Sequence, residues 1–204
     1  ALTNVAYFKG RWATPFEEEV TIAEPFYPSP DESFEVWTMH QIEPLWYGET
    51  ETLQVLELPY QGSHMAMLVI LPKELDGLAD LERELDVELL DVVTENMTHG
   101  EVRVALPRFR VATETPLDLT SLLGDLGAPP AFDATANFTG MADTDGEPFY
   151  LDALLHQAFV EVDEVGTEAA AATAYQVWLA EVEPSTPPEF RADHPFLFLI
   201  QERS

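Results

Sequence analysis

Val162-Asp-Glu-Val-Gly-Thr-Glu-Ala-Ala-Ala-Ala-Thr-Ala174 is the stretch on which the reading of this chain turns. A strand-like run meets two acids and a glycine, and nearly everything after Gly166 is small. Alanine gives up little side-chain entropy on ordering and threonine favours strands, so such a segment changes conformation at low cost. As a strand it would place Thr167, Ala169, Ala171 and Thr173 on one face, narrow enough to enter a crowded sheet. Composition alone favours the plainer reading, an alanine-rich helix or a linker.

On either side the pattern is mixed. Leu2 to Gly10 reads as a mostly buried strand, and Pro15, Pro25, Pro28 and Pro30 mark loop and edge structure after it. Leu53 to Tyr60 and Met65 to Pro72 read as two strands joined through Gly62. Leu78, Leu81, Leu85, Leu89, Val92 and Val93 recur at helical spacing and predict one helix over Leu75 to Val93. A strand with an irregularity at Pro107 follows over Val102 to Val111, then a short helix from Leu117 to Leu126 closed by Gly127. Leu154 to Val162 and Phe196 to Ile200 are strands again, with the acidic, proline-bearing Trp178 to Pro188 between them. Strands and helices do not alternate regularly, there is no internal repeat, and the class is α+β in one domain or part of one.

The 204 residues carry 38 Asp+Glu against 9 Lys+Arg, a net charge of −29, and only Lys9 and Lys73 are lysines. Nucleic acid and anionic membranes are disfavoured as partners. The acids are spread along the whole chain, which suits a surface adapted to high salt better than a patch for one basic partner. Low lysine with abundant acid resembles the proteins of salt-accumulating halophiles, so a high-salt organism is expected, with either an extracellular or a cytoplasmic location. No stretch approaches the roughly 20 apolar residues of a membrane span. There is no cysteine. Both ends fall within or just after apolar strand-like runs, so the chain is expected to be part of a longer protein.

Motifs for catalysis are missing. His40, His64, His99, His156 and His194 show no metal-ligand spacing, and there is no HExxH, GxSxG, phosphate loop or dinucleotide fingerprint. Carboxylates are too abundant for any pair to single itself out as an acid/base dyad. No cofactor or metal is implied, and an enzyme is not expected. Asn96-Met-Thr98 and Asn137-Phe-Thr139 match the glycosylation triplet, which arises readily by chance.

Gly166-Thr-Glu-Ala-Ala-Ala-Ala-Thr-Ala174 after Asp163 and Glu164 resembles the hinge of the reactive loop of the serpins. Other segments are similar to the same family in the same order. They are Asn4-Val-Ala-Tyr-Phe-Lys-Gly-Arg-Trp12, Trp37-Thr-Met-His-Gln41, Leu106-Pro-Arg-Phe109, Pro187-Pro-Glu-Phe190 and His194-Pro-Phe-Leu-Phe-Leu-Ile200. Together they span essentially the whole chain. The resemblance implies the C-terminal portion of one serpin domain over 1–204, with sheets A, B and C, a few helices and an exposed loop over about 164–186. An N-terminal helical region and a last strand would lie outside this sequence.

The implied function is inhibition of a serine protease as a suicide substrate: the loop is cut, the protease is acylated, and the loop inserts into the central sheet. Glu164, Gly166 and Thr167 match the hinge, followed by Ala169, Ala170, Ala171 and Ala172. Arg108 is expected to pair with Glu164, and Trp12 and Arg108 to sit at the breach where insertion starts. Asn4 and His156 match the shutter, where a buried hydrogen bond would hold the central strands. Val165 departs from the family, which more often has a charged residue there. The loop is also about four residues longer than usual in the family. Counting from the hinge places the cut at Ala180-Glu181, with Leu179 beside it; counting back from Pro187 places it near Pro184. Ala or Leu before the cut implies an elastase-, chymotrypsin- or subtilisin-like target. The missing N-terminal part of the same serpin is the other partner, and this chain alone is not expected to inhibit. The alternatives are a non-inhibitory serpin-fold binding or chaperone-like protein, and a simple substrate or reversible inhibitor.

The charge balance yields a first prediction. In the full-length protein the melting temperature rises as potassium chloride goes from about 0.1 M to about 1 M, because the screening length falls from about 10 Å to about 3 Å. A flat or falling dependence contradicts the salt-adapted reading.

Overall fold

The computed structural model describes residues 1–62, 64–112, 115–127, 129–141, 149–167 and 186–203. In chain order the strands and α-helices begin with β1 (Leu2–Tyr7), β2 (Gly10–Arg11), β3 (Ile22–Ser29) and β4 (Glu32–Glu49). Then come β5 (Leu53–Pro59), β6 (Met65–Pro72), α1 (Leu78–Glu84), α2 (Val87–Glu95), β7 (Thr98–Pro107) and β8 (Phe109–Ala112). The remainder are β9 (Leu117–Asp118), α3 (Thr120–Asp125), β10 (Leu154–Val162), β11 (Gly166–Thr167), β12 (Glu189–Arg191) and β13 (Leu197–Glu202). Two compact units result: Ala1–Phe8 with Arg110–Val160, and Lys9–Phe109 with Glu161–Ser204.

The larger unit is built on a sheet in the order β12-β7-β4-β5-β6-β13, with β3 added to the first half of β4. Strand β6 lies antiparallel between β5 and β13. That position explains its sequence: Ala66 to Pro72 are all buried, so both faces of the pleat need apolar side chains. Leu53 and Val55 of β5 and Leu68 and Ile70 of β6 form one core cluster with Leu81 of α1 and Val93 of α2. Fully burying each such side chain contributes roughly 1.5–3 kcal/mol, which is what fixes the two helices on this face. Gly62, at φ +92°, turns the β5–β6 hairpin as expected.

Three expectations change. The helix over Leu75 to Val93 is two helices, because Asp86 takes an extended backbone and its Oδ1 accepts the Leu89 N–H at 2.8 Å. An aspartate that can cap competes with continuing the helix, and here the cap wins. The helix over Leu117 to Leu126 begins only at Thr120, since Leu117 and Asp118 pair with β10; Gly127, at φ +103°, does end it. The 18-residue β4, which carries β3, β5 and β7, has no counterpart in the sequence reading.

In the smaller unit β1 runs parallel to β10 from Leu2 opposite Leu154 to Tyr7 opposite Phe159. On its other side β10 pairs antiparallel with β9. Every residue of β1 is exposed, whereas the sequence predicts a mostly buried strand. Leu2, Val5 and Tyr7 of its apolar run face out.

Candidate functional site

The hinge expected around Glu164 lies in the larger unit, in the tight turn between the end of β10 and β11. Asp163 starts it: its Oδ1 accepts from the N–H groups of Val165 at 2.9 Å and Gly166 at 3.1 Å, and its own N–H donates to the Gly166 carbonyl at 3.0 Å. Three backbone or ring N–H groups of the segment after β2 then hold the turn from outside. Trp12 N–H donates to the Val165 carbonyl at 2.9 Å, Trp12 Nε1 to the Asp163 carbonyl at 2.9 Å, and Phe16 N–H to the Glu164 carbonyl at 2.8 Å.

Strand β11 sits between two neighbours. Thr167 pairs antiparallel with Val162 of β10 and with Gly10 of β2, and Gly166 pairs with Arg11. Only glycine fits at 166. Its φ is +151°, and a Cβ there would lie 2.1 Å from the Gly10 carbonyl oxygen and 2.6 Å from Arg11 Cα. Thr167 is fully buried, and its hydroxyl meets the Tyr60 hydroxyl at 2.9 Å. Tyr60 is itself buried and stacked on Trp12 with ring centroids 4.7 Å apart. Burial pushes the Tyr60 hydroxyl up to about 12, only partly offset by the bond to Thr167, so it stays protonated and able to donate at neutral pH.

Glu164 is 3% exposed. A carboxylate taken out of water needs compensation, and three donors supply it: Arg108 Nε at 2.8 Å and Nη2 at 2.6 Å, and the Thr21 hydroxyl at 2.5 Å. Burial alone would push the Glu164 carboxyl up. The bonds from Arg108 and Thr21 outweigh it and hold the group below the usual range. Arg108 is placed for this by the break between β7 and β8 after Pro107, where its N–H donates to the Trp37 carbonyl at 2.8 Å.

The resemblance paired Arg108 with Glu164 and put Trp12 at the breach; in the structure Arg108 bonds Glu164 and Trp12 bonds the carbonyls of Asp163 and Val165. Sequence reasoning missed Thr21 and Tyr60. Nothing in Thr-Ile-Ala-Glu marks Thr21 as a donor, and Tyr60 looked like the end of an ordinary strand. Asn4 and His156, in the smaller unit, are register partners on β1 and β10, and His156 Nδ1 lies 2.8 Å from Asn4 Oδ1. The bond expected to be buried is exposed. Ala169, Ala170, Ala171, Ala172, Leu179, Ala180 and Glu181 lie outside the described residues. Beyond them β12 runs parallel to β7, with Phe190 fully buried and Arg191 donating to Glu24 at 2.8 Å. Among the described residues no group of His, Cys, Asp and Glu is arranged to hold a metal, and no helix is long and apolar enough to cross a membrane.

Comparison with known proteins gives consistent matches. The whole of residues 1–204 matches the family described as Serpin (serine protease inhibitor). The chain is 40% identical over 205 residues to Serpin B3 of Homo sapiens, covering 98% of this chain and 51% of that protein. It is 39% identical over 209 residues to the leukocyte elastase inhibitor of Equus caballus, covering 98% and 54%. Among solved structures, Serpin48 of the insect Tenebrio molitor superposes with a TM-score of 0.82 at 31% identity, over 98% of this chain and 51% of that one. The chain thus spans about half the length of the proteins it matches.

Two outcomes test the geometry of the turn. The Glu164 carboxyl is depressed in the folded state, so its stabilisation is present above the unfolded value of about 4.3 and lost as pH falls through the lower folded value. Arg108→Gln removes that acid-side loss and lowers stability at pH 7 by about 1–3 kcal/mol, because a buried acceptor loses its charged donor. Denaturant melts of both forms between pH 2.5 and pH 7 measure it, and parallel pH profiles contradict it. In a second melt, Tyr60→Phe costs about 1–3 kcal/mol by leaving the Thr167 hydroxyl buried without its partner. A change near zero shows that the bond does not hold β11.

Proposed function

The chain belongs to the serpin family, and from that premise we propose that the protein carrying it inhibits serine proteases as a suicide substrate. The observation that carries the reading is the seating of Thr167 between β10 and β2, fully buried, directly before Glu168 and the run Ala169–Ala172. The entry point for a further strand is already occupied by its first residue. Small side chains follow, so extension of β11 meets little steric or entropic resistance. The reactive loop is proposed over about 164–186 within a single serpin domain, with Glu164, Gly166, Thr167 and Ala169 to Ala172 as its hinge.

The chemistry belongs to the protease. Its serine hydroxyl attacks the Ala180 carbonyl, the Ala180–Glu181 bond breaks, and Glu181 leaves as a free amine while Ala180 remains as an acyl ester on the enzyme. The segment from Glu168 to Ala180 then enters the sheet as a strand. Insertion needs β1 and β10 to part, which breaks the Asn4–His156 bond along with their backbone ladder. In this reading Arg108 and Trp12 fix the pivot: the first holds Glu164 by its carboxylate, the second holds the turn by its backbone. Strain released on gaining a strand drives the change, as in serpin loop insertion generally. An elastase-like target is favoured by Leu179 and Ala180 and by the name of the equine relative; chymotrypsin- and subtilisin-like enzymes fit the same residues.

The test mixes the full-length protein, in high salt because of the net charge of −29, with elastase-, chymotrypsin- and subtilisin-like proteases. The products are run on a denaturing gel. A complex that survives denaturant, with a new N-terminus at Glu181, is the expected result. Complete cleavage of the loop by every protease with no such complex overturns the proposal and favours a non-inhibitory binding protein.

A further inference from the structure

Two Asn-X-Thr triplets, Asn96-Met97-Thr98 and Asn137-Phe138-Thr139, share one chemistry and differ in geometry. Asn96 follows α2, and its Nδ2 donates to the Val92 carbonyl at 2.6 Å. The nitrogen that a sugar would have to take is therefore engaged with the last turn of the helix. Thr98 is fixed in β7, opposite Tyr47 of β4. Bringing its hydroxyl back to Asn96 would break the helix cap and a strand end together.

At Asn137 the corresponding turn is already formed. Asn137 Oδ1 accepts from the Thr139 hydroxyl at 2.8 Å and from the Thr139 N–H at 3.3 Å. Both residues are exposed. Phe138 points the other way: it is half-buried and meets Phe149 edge to face with centroids 5.9 Å apart, while its carbonyl accepts the Met141 N–H at 2.8 Å. The middle residue anchors the turn and leaves the two outer side chains in solvent. Donors on Oδ1 also stabilise the charge that builds there as Nδ2 gives up a proton, so the amide nitrogen becomes a better nucleophile.

We propose that Asn137 is an acceptor site for an N-linked glycan and that Asn96 in the folded chain is not. The co-substrate is an oligosaccharide on a polyprenyl diphosphate. Asn137 Nδ2 bonds to the anomeric carbon, the bond from that carbon to the diphosphate oxygen breaks, one amide proton passes to a base of the transferring enzyme, and polyprenyl diphosphate leaves. The site stands on its own geometry and does not depend on protease inhibition.

The folded full-length protein is incubated with an oligosaccharyltransferase that accepts Asn-X-Ser/Thr and with a polyprenyl-diphosphate oligosaccharide, and the peptides are mapped by mass spectrometry. The Asn137 peptide gains one oligosaccharide and the Asn96 peptide gains none. Asn137→Gln and Thr139→Ala each lose the added mass, whereas Thr139→Ser and Asn96→Gln keep it. Circular dichroism of each variant before the reaction establishes that it is folded. Modification of Asn96 in the folded protein overturns the inference. So does an unmodified Asn137 in a mixture where a short Asn-Phe-Thr peptide is glycosylated.

Discussion

Glu164 takes a carboxylate out of water in a chain whose net charge is −29 and whose cations number only 9. One of those cations, Arg108, is committed to it, with the Thr21 hydroxyl completing its partners. An uncompensated charge at this depth would drive the turn out toward solvent. Compensated, it fastens the turn to the end of β7, and the remaining contacts depend on that position. Trp12 and Phe16 can bond the turn's carbonyls only while it lies there, and Gly166 can approach Gly10 only because it has no Cβ. Thr167 then falls between β10 and β2 with its hydroxyl against Tyr60. A single ion pair thus helps to fix where β11 lies.

The two units differ in how they are held. In the larger, β6 is covered on both faces and flanked on both edges, and its apolar run has no alternative use. In the smaller, β1 is held to β10 by its backbone ladder, by the exposed Asn4–His156 bond and by Tyr7 stacked on Phe159 with centroids 6.3 Å apart, while Leu2 and Val5 face out. In the proposed mechanism β1 and β10 are the strands that would separate to admit a third.

Strands that bury both faces were legible in the sequence, since Leu53 to Tyr60 and Met65 to Pro72 leave few other options. Short-range competition was less so. Asp86 splits a helix whose leucine spacing continues unbroken through it, because a local side-chain bond to Leu89 N–H outbids periodicity. Strand β4 was hidden because its partners change along its length: β3 covers its first half while β5 and β7 take its second, so no single alternation runs through it. At the site, Glu164, Gly166 and Arg108 were readable through family resemblance. Gly166 also has a physical reason that no sequence shows: a Cβ there would lie 2.1 Å from the Gly10 carbonyl oxygen. Thr21 and Tyr60 act across 143 and 107 residues of chain, a separation that no local pattern encodes.

The central claim is that β11 is the seated start of a strand that lengthens once the loop is cut. The most direct measurement is hydrogen exchange on the full-length protein before and after a single cleavage between Ala180 and Glu181, following the amides of residues 2–7 and 154–162. Lengthening of β11 between β1 and β10 predicts that these amides become more protected after cleavage, together with new protection over 168–180. Unchanged exchange in both strands and over 168–180 contradicts the account.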